Sequence, residues 1–242
     1  MILESHELEI FDPNQNHQKE PIEKLIVNRI YRAVIEQRLA PNTKLSESKL
    51  CQTFGVGRMH VRRALLLLSS QGIINLQSNR GAFVASPDQK EANEVFEARL
   101  MIEPRLIRKL TGNISKAHMN DLYDHIQQEN QARENSERIQ LIRLSGEFHV
   151  KLAEASGNSI ITNVVKELVT KTSLIVGMFG TSSHSSCPDD EHKKLLDAIS
   201  ENDSDRAHDV IINHLNNIWK ELDITSNNKK SETLENILGG AL

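Results

Sequence analysis

The chain has 242 residues, a formal net charge of −4, 38% hydrophobic residues and only 4% aromatic ones. That length suits one large or two moderate domains with a substantial core, and the scarcity of β-prone aromatics favours helices over sheets. No run of about 18 apolar residues is present to span a membrane, and the acidic opening lacks the basic start and apolar core of a signal peptide. Cys51 and Cys187 lie far apart, outside any metal-type pairing, which fits a reducing cytoplasm.

The charge is unevenly spread. Residues 19–86 hold 11 Lys/Arg against 4 Asp/Glu, whereas residues 87–242 hold 18 against 25. A basic module joined to an acidic one suits a nucleic-acid binder with a separate sensing or assembly part.

Residues 1–18 are polar and aperiodic and read as a flexible arm. Pro21 then opens a helix that carries Ile22, Leu25, Ile26, Ile30 and Val34 on one face and ends near Arg38, before Pro41. From Leu45 to Leu68 the spacing predicts two short helices around a Gly55-Val56-Gly57 turn. The first buries Leu45, Leu50 and Phe54. The second buries Val61, Ala64, Leu65 and Leu68 at i, i+3, i+4 and i+7. Arg58 and Arg62 fall off that apolar face on the second helix's early turns, beside Met59, His60 and Arg63. This is the layout of a helix-turn-helix, whose second helix enters the major groove; the competing reading is a surface helix with solvated arginines. Two β-prone runs around Asn79-Arg80-Gly81 add a hairpin wing with Arg80 at its tip, poised for phosphate or the minor groove.

After the Ser86-Pro87-Asp88 linker the pattern is helical throughout. Helices are predicted near residues 89–110, 115–134, 138–155, 159–179, 190–200 and 203–222, each with one apolar stripe, which implies an antiparallel bundle. The boundaries read from sequence are thus an arm over 1–18, a winged helix-turn-helix domain over 19–86, an effector-binding and dimerisation bundle over 87–225, and a tail over 226–242. The tail carries a short Leu234/Ile237/Leu238 patch, the mark of a docking helix.

Polar residues fall on the inward faces of the bundle. His149 and Ser145 sit beside the stripe of Leu141, Leu144, Phe148 and Leu152. His192 shares a face with Leu195, Leu196 and Ile199, and His214 with Ile211, Ile218 and Leu222. Three inward histidines from three helices can meet as ligands for a divalent ion such as zinc or nickel, or each can be a hydrogen-bonded core residue. Arg99 lies among Val95, Ile102 and Leu106 and should also point inward. A buried guanidinium needs an anion, which is either Glu103 on the next turn or an acidic effector.

The segment from Leu39-Ala40-Pro41 through Gly57-Arg58-Met59-His60-Val61-Arg62-Arg63-Ala64-Leu65 to Asn79-Arg80-Gly81-Ala82-Phe83-Val84 resembles the DNA-binding domain of GntR-superfamily regulators. The run Phe148-His149…Leu152-Ala153-Glu154-Ala155-Ser156-Gly157-Asn158, with Glu191-His192, His214-Leu215 and the 97–103 helix, is similar to the FCD ligand-binding domain of the FadR-like branch. The resemblance implies a homodimer on a palindromic DNA operator, under the control of a small-molecule effector such as a carboxylate. It also implies a divalent metal held by His149, His192 and His214, and here Ser145 stands where the family pattern has aspartate. Repression is the commoner mode in such a family. The competing class is a metal-dependent hydrolase built on the three histidines.

Overall fold

The computed structural model describes residues 21–180, 190–223 and 234–239. The predicted arm and most of the 180–188 loop lie outside these residues.

The N-terminal module starts with α1 (Ile22–Ile35), which opens after Pro21 and buries Ile26, Ile30, Ala33 and Val34. The helix-turn-helix follows as α2 (Glu47–Phe54) and α3 (Arg58–Ser70). Ser46 caps α2 by accepting from the Lys49 amide, and Gly55 ends it at φ 64, where a side chain would be strained. Leu45 is buried as expected, but it belongs to a two-residue strand, β1 (Lys44–Leu45), and not to α2. β1 pairs antiparallel with β3 (Gly81–Val84), which also pairs with β2 (Ile74–Gln77), giving the sheet order β1-β3-β2. Gln77 faces Gly81 across the hairpin, so residues 78–80 form its tip. Asn79 at φ 59 and Gly81 at φ 97 supply the left-handed turn.

The bundle consists of α4 (Gln89–Leu110), α5 (Lys116–Glu134), α6 (Arg138–Ala155), α7 (Ser159–Phe179), α8 (Glu191–Ser200) and α9 (Ser204–Lys220). Their starts are set by local chemistry: the side chains of Asp88, Ser115, Asn158 and Asp203 each accept from an amide of the first turn. α4 packs on α7 and α9, α6 lies between α5 and α7, and α8 packs on α5 and α9. The bundle core gathers around Phe148, Leu152, Val165, Leu196, Ile211 and Leu215. Among the described residues no helix is long and apolar enough to cross a membrane.

The two modules share apolar cores. Leu174, Ile175, Met178 and Phe179 from the end of α7 pack in the same cluster as the helix-turn-helix. A five-residue helix, α10 (Leu234–Leu238), packs on α1 and α2 and adds Leu234, Ile237 and Leu238 to that cluster. Its last carbonyls accept from Arg38 Nη1 at 2.6 Å and Arg29 Nη1 at 3.3 Å. The exit of α9 is stitched to the end of α7, with the Asp223 amide donating to the Phe179 carbonyl at 3.0 Å.

Candidate metal centre and nucleic-acid interface

The three inward histidines meet. His149 on α6, His192 on α8 and His214 on α9 each offer a ligand nitrogen within 4.8 Å of the others, and all three are buried. Nε2 of His214 stands 3.1 Å from Nε2 of His149 and 3.3 Å from Nε2 of His192. Each Nδ1 faces a carboxylate. His149 Nδ1 is 2.6 Å from Glu103 Oε2, His192 Nδ1 is 2.8 Å from Glu129 Oε2, and His214 Nδ1 is 2.8 Å from Glu191 Oε2. The ring of Phe148 stacks on His192 at 4.0 Å between centroids and sets its plane.

This arrangement assigns the protons. With each Nδ1–H donating to its glutamate, a neutral imidazole has an unprotonated Nε2, so three lone pairs point at one another. Neutral rings in that tautomer turn their Nε2 atoms toward a shared centre, where a cation can accept all three. Zinc–nitrogen bonds of about 2.0–2.1 Å in a tetrahedral site put two nitrogens about 3.3–3.4 Å apart, close to the spacing seen. The residues therefore fit a divalent ion, with three carboxylates orienting its ligands from behind.

The charge states agree. Burial pushes the His149 pKa down to about 3, more than Glu103 pulls it up. Burial alone would raise Glu103, but Arg99 and His149 beside it hold its carboxyl well below the usual range. Glu129 and Glu191 are likewise held low against burial, the first by His192 and His125, the second by His214 and Asn217. A neutral His149 backed by an ionised Glu103 suits a cation at that ligand.

Arg99 is 2% exposed, and its Nε donates to Glu103 Oε1 at 2.6 Å. The internal partner anticipated from sequence is therefore present, and Glu103 joins Arg99 to His149. The guanidinium is still incompletely used, because its buried Nη2 has no hydrogen-bond partner. Arg99 and His149 line a small cavity with Ser145, Gly146, Thr172 and Ser173 as its polar wall, closed by apolar side chains that include Val176. A cavity lined by a guanidinium with an unused donor and by the hydroxyl-bearing Ser145 and Ser173 suits a small anion that also accepts hydrogen bonds.

The sequence reading missed Glu129 and Glu191 as partners of the histidines and saw Glu103 only as a partner of Arg99. Glu191 pairs with His214 across 23 positions, so its place next to His192 did not reveal its partner. Glu129 pairs with His192 across 63 positions and leaves no local signal.

On the other module, Arg58, Met59, Arg62 and Arg63 are exposed on the first turns of α3, with His60 partly so. Met59 keeps 64% of its surface in solvent. Arg62 Nε bonds both oxygens of Glu47 at 3.2 and 3.0 Å, Arg63 lies 3.6 Å from Glu23, and His60 Nδ1 is 2.9 Å from the same carboxylate. Asn79, Arg80 and Gly81 are exposed at the hairpin tip, with the Arg80 guanidinium 5.5 Å from the Phe83 ring centroid. The basic residues of helix and wing are thus all presented to solvent.

A winged helix-turn-helix joined to a helical bundle with an enclosed polar site defines a DNA-binding regulator with a sensing domain. The comparisons name the family. Residues 23–84 match the model for bacterial regulatory proteins of the gntR family, and residues 94–217 match the FCD domain. The chain belongs to the gntR family of transcriptional regulators, in the branch that carries an FCD domain.

Similar proteins include the HTH-type transcriptional repressor RspR of Escherichia coli K12, 23% identical over 82% of this chain and 88% of that protein. The HTH-type transcriptional regulator YdhC of Bacillus subtilis is 20% identical over 81% and 88%. The HTH-type transcriptional repressor NanR of Escherichia coli is 25% identical over 76% and 79%. Among solved structures the fold resembles a GntR regulator from Rhodococcus sp. RHA1, with TM-score 0.68 and 17% identity over 86% of this chain and 99% of that one. It also resembles Escherichia coli McbR/YncC, with TM-score 0.64 and 15% identity over 84% and 99%.

Proposed function

We propose that this regulator is a cytoplasmic homodimeric repressor whose grip on a palindromic operator is set by a metal-assisted effector site in the bundle. Arg58 and Arg62 read base edges in the major groove, helped by Met59, His60 and Arg63, while Asn79, Arg80 and Gly81 of the wing engage the backbone or minor groove. One small module makes few contacts, and a symmetric pair doubles them.

In the bundle, His149, His192 and His214 hold a divalent ion such as zinc or nickel. When bound, it supplies a Lewis-acidic centre able to accept an oxygen of the effector. Arg99 Nη2 and the hydroxyl of Ser145 bind the anionic end of a small carboxylate or similar metabolite. The departure of Ser145 from the family's aspartate leaves one ligand place without a protein carboxylate, so water or the effector fills it. The observation that carries this reading is the convergence of three buried histidine nitrogens from three helices, each ring held from behind by a glutamate, beside a cavity lined by Arg99, whose buried Nη2 has no hydrogen-bond partner.

A hydrolase reading is weaker on chemical grounds. The carboxylates nearest the triad, Glu103, Glu129 and Glu191, are each already bonded to a histidine Nδ1, which makes them poor general bases for a bound water. The proteins named above are transcriptional regulators and repressors.

The test is thermal unfolding with and without Zn(II) or Ni(II). Metal at 100 times its dissociation constant should stabilise the parent by about 2.7 kcal/mol and leave His214→Ala unmoved. Equal response of the two proteins, or none in the parent, removes the metal from the account.

A further inference from the structure

The wall of the cavity is also the bed on which the DNA-binding module rests. Ile35, the last residue of α1, packs in one apolar cluster with Ile142, Val176 and Ile218. All three of those residues line the cavity. The next residue after Val176 is Gly177, and a Cβ there would run into Ile35 Cδ1 and stand 3.2 Å from Ile35 Cα. Glycine is required by this approach, not by its backbone angles, so α1 and α7 touch almost backbone to backbone.

One side chain ties the two helix ends together. Arg138, the first residue of α6, donates from Nη1 to the Ile35 carbonyl at 2.7 Å. Its Nη2 faces the carbonyls of Val176, Gly177 and Gly180 at 3.2, 3.5 and 3.4 Å. Gln37, turned into the left-handed region at φ 58 just past α1, donates from Nε2 to the Gly177 and Gly180 carbonyls at 3.1 and 3.2 Å. The last carbonyls of a helix lack intrahelical partners and carry its negative end. Here the ends of α1 and α7, from the two modules, share one guanidinium. Every partner of Arg138 among the described residues is a backbone carbonyl, so no carboxylate competes for it.

We infer that Arg138 is a positioning residue for operator binding: it locks the end of α1 onto the last turn of α7, so that filling the cavity against Val176 displaces the DNA-binding module. This rests on the reading of the cavity as the effector site. The geometry favours transmission because the link is short and directional. A shift of α7 cannot be absorbed locally without stripping bonds from a part-buried guanidinium or driving Gly177 into Ile35.

The test is a double-mutant cycle that needs neither metal nor effector. Ser173→Leu puts a side chain into the cavity as a permanent occupant, and Arg138→Ala cuts the link. Affinity is read on an operator duplex recovered by in vitro selection with the parent protein. Ser173→Leu should change affinity about tenfold in the parent background, within the usual span of allosteric coupling, and leave it unchanged in the Arg138→Ala background. A merely structural arginine would let the two effects add. Equal effects in both backgrounds, or no effect of Ser173→Leu in the parent, overturn the inference. Amide exchange over residues 30–40 gives a second reading: it should rise in Arg138→Ala while exchange in α5 and α8 stays at the parent's level. Unchanged exchange there counts against the link even if Ser173→Leu folds poorly. Failure of the metal reading appears separately, as absent stabilisation by Zn(II).

Discussion

The recognition helix and the bundle site use the same kinds of side chain in opposite ways. Arg62 pairs with Glu47 in solvent, the two side chains 63% and 39% exposed, whereas Arg99 pairs with Glu103 at 2% and 4%. His60 sits half in water on Glu23, while His149 is enclosed between Glu103 and His214. A surface pair is screened and contributes little, so it breaks cheaply when a phosphate or a guanine offers a better partner. A buried network holds its charges only while every member is present. The outer arginines are therefore free to change partners, and the inner ones are built to stay.

The largest effect should come from breaking the inner network. Glu103→Ala strands the Arg99 charge and frees His149 Nδ1, and breaking such a buried pair typically costs roughly 3–5 kcal/mol. Denaturant unfolding measures it, and a loss under about 1 kcal/mol would erase the contrast drawn here.

Acid should come next. An imidazole held neutral by burial, with His149 down at about 3, takes up its proton in the unfolded chain before the folded one. Stability is then complete above the ordinary histidine value near 6.5 and declines as pH falls below it, toward 3. By pH 5 this one group should cost about 2 kcal/mol. Glu103 and Glu129, both held low, add their own loss as pH drops through the usual carboxylate range. Melting in chelator from pH 7.5 to 4.5 checks the sign, and a flat profile contradicts it.

The outer pairs should separate stability from binding. Arg62→Ala should weaken operator binding by roughly 1–3 kcal/mol while moving the unfolding free energy by less than about 0.5 kcal/mol. Arg80→Ala should weaken all sequences alike and lower the salt slope by about one unit. The smallest effect belongs to Glu47→Gln, which removes the competitor for Arg62 and should tighten DNA by a few tenths of a kcal/mol. Unchanged or weaker binding would mean that Glu47 orients the arginine and does not compete for it.

Much of this was readable in the sequence. Helix spans came from apolar periodicity and from linker and loop residues such as Asp88 and Asn158, which the structure shows capping the helices that follow. The histidine triad was legible because each member shares an apolar stripe, and Arg99–Glu103 because i and i+4 are neighbours on a helix. β1 was not, since two residues carry no alternation. The shared core between modules had a signal that went unused: the end of α7, Ser173-Leu174-Ile175-Val176-Gly177-Met178-Phe179, is apolar nearly all round, which a helix with one wet face cannot be. Arg138 had no signal at all, because its acceptors are backbone carbonyls that any sequence supplies.

The seating of α10 has a consequence for the order of events during synthesis. Leu234, Ile237 and Leu238 close the apolar surface of α1 and α2, yet they leave the ribosome long after the wing hairpin has emerged. Domains made first usually fold first, and here the first-made module waits for residues at the far end of the bundle to complete its core. A chain interrupted after α9 would carry the arginines of α3 on an unfinished scaffold, so full competence to grip DNA arrives only once α10 has been made.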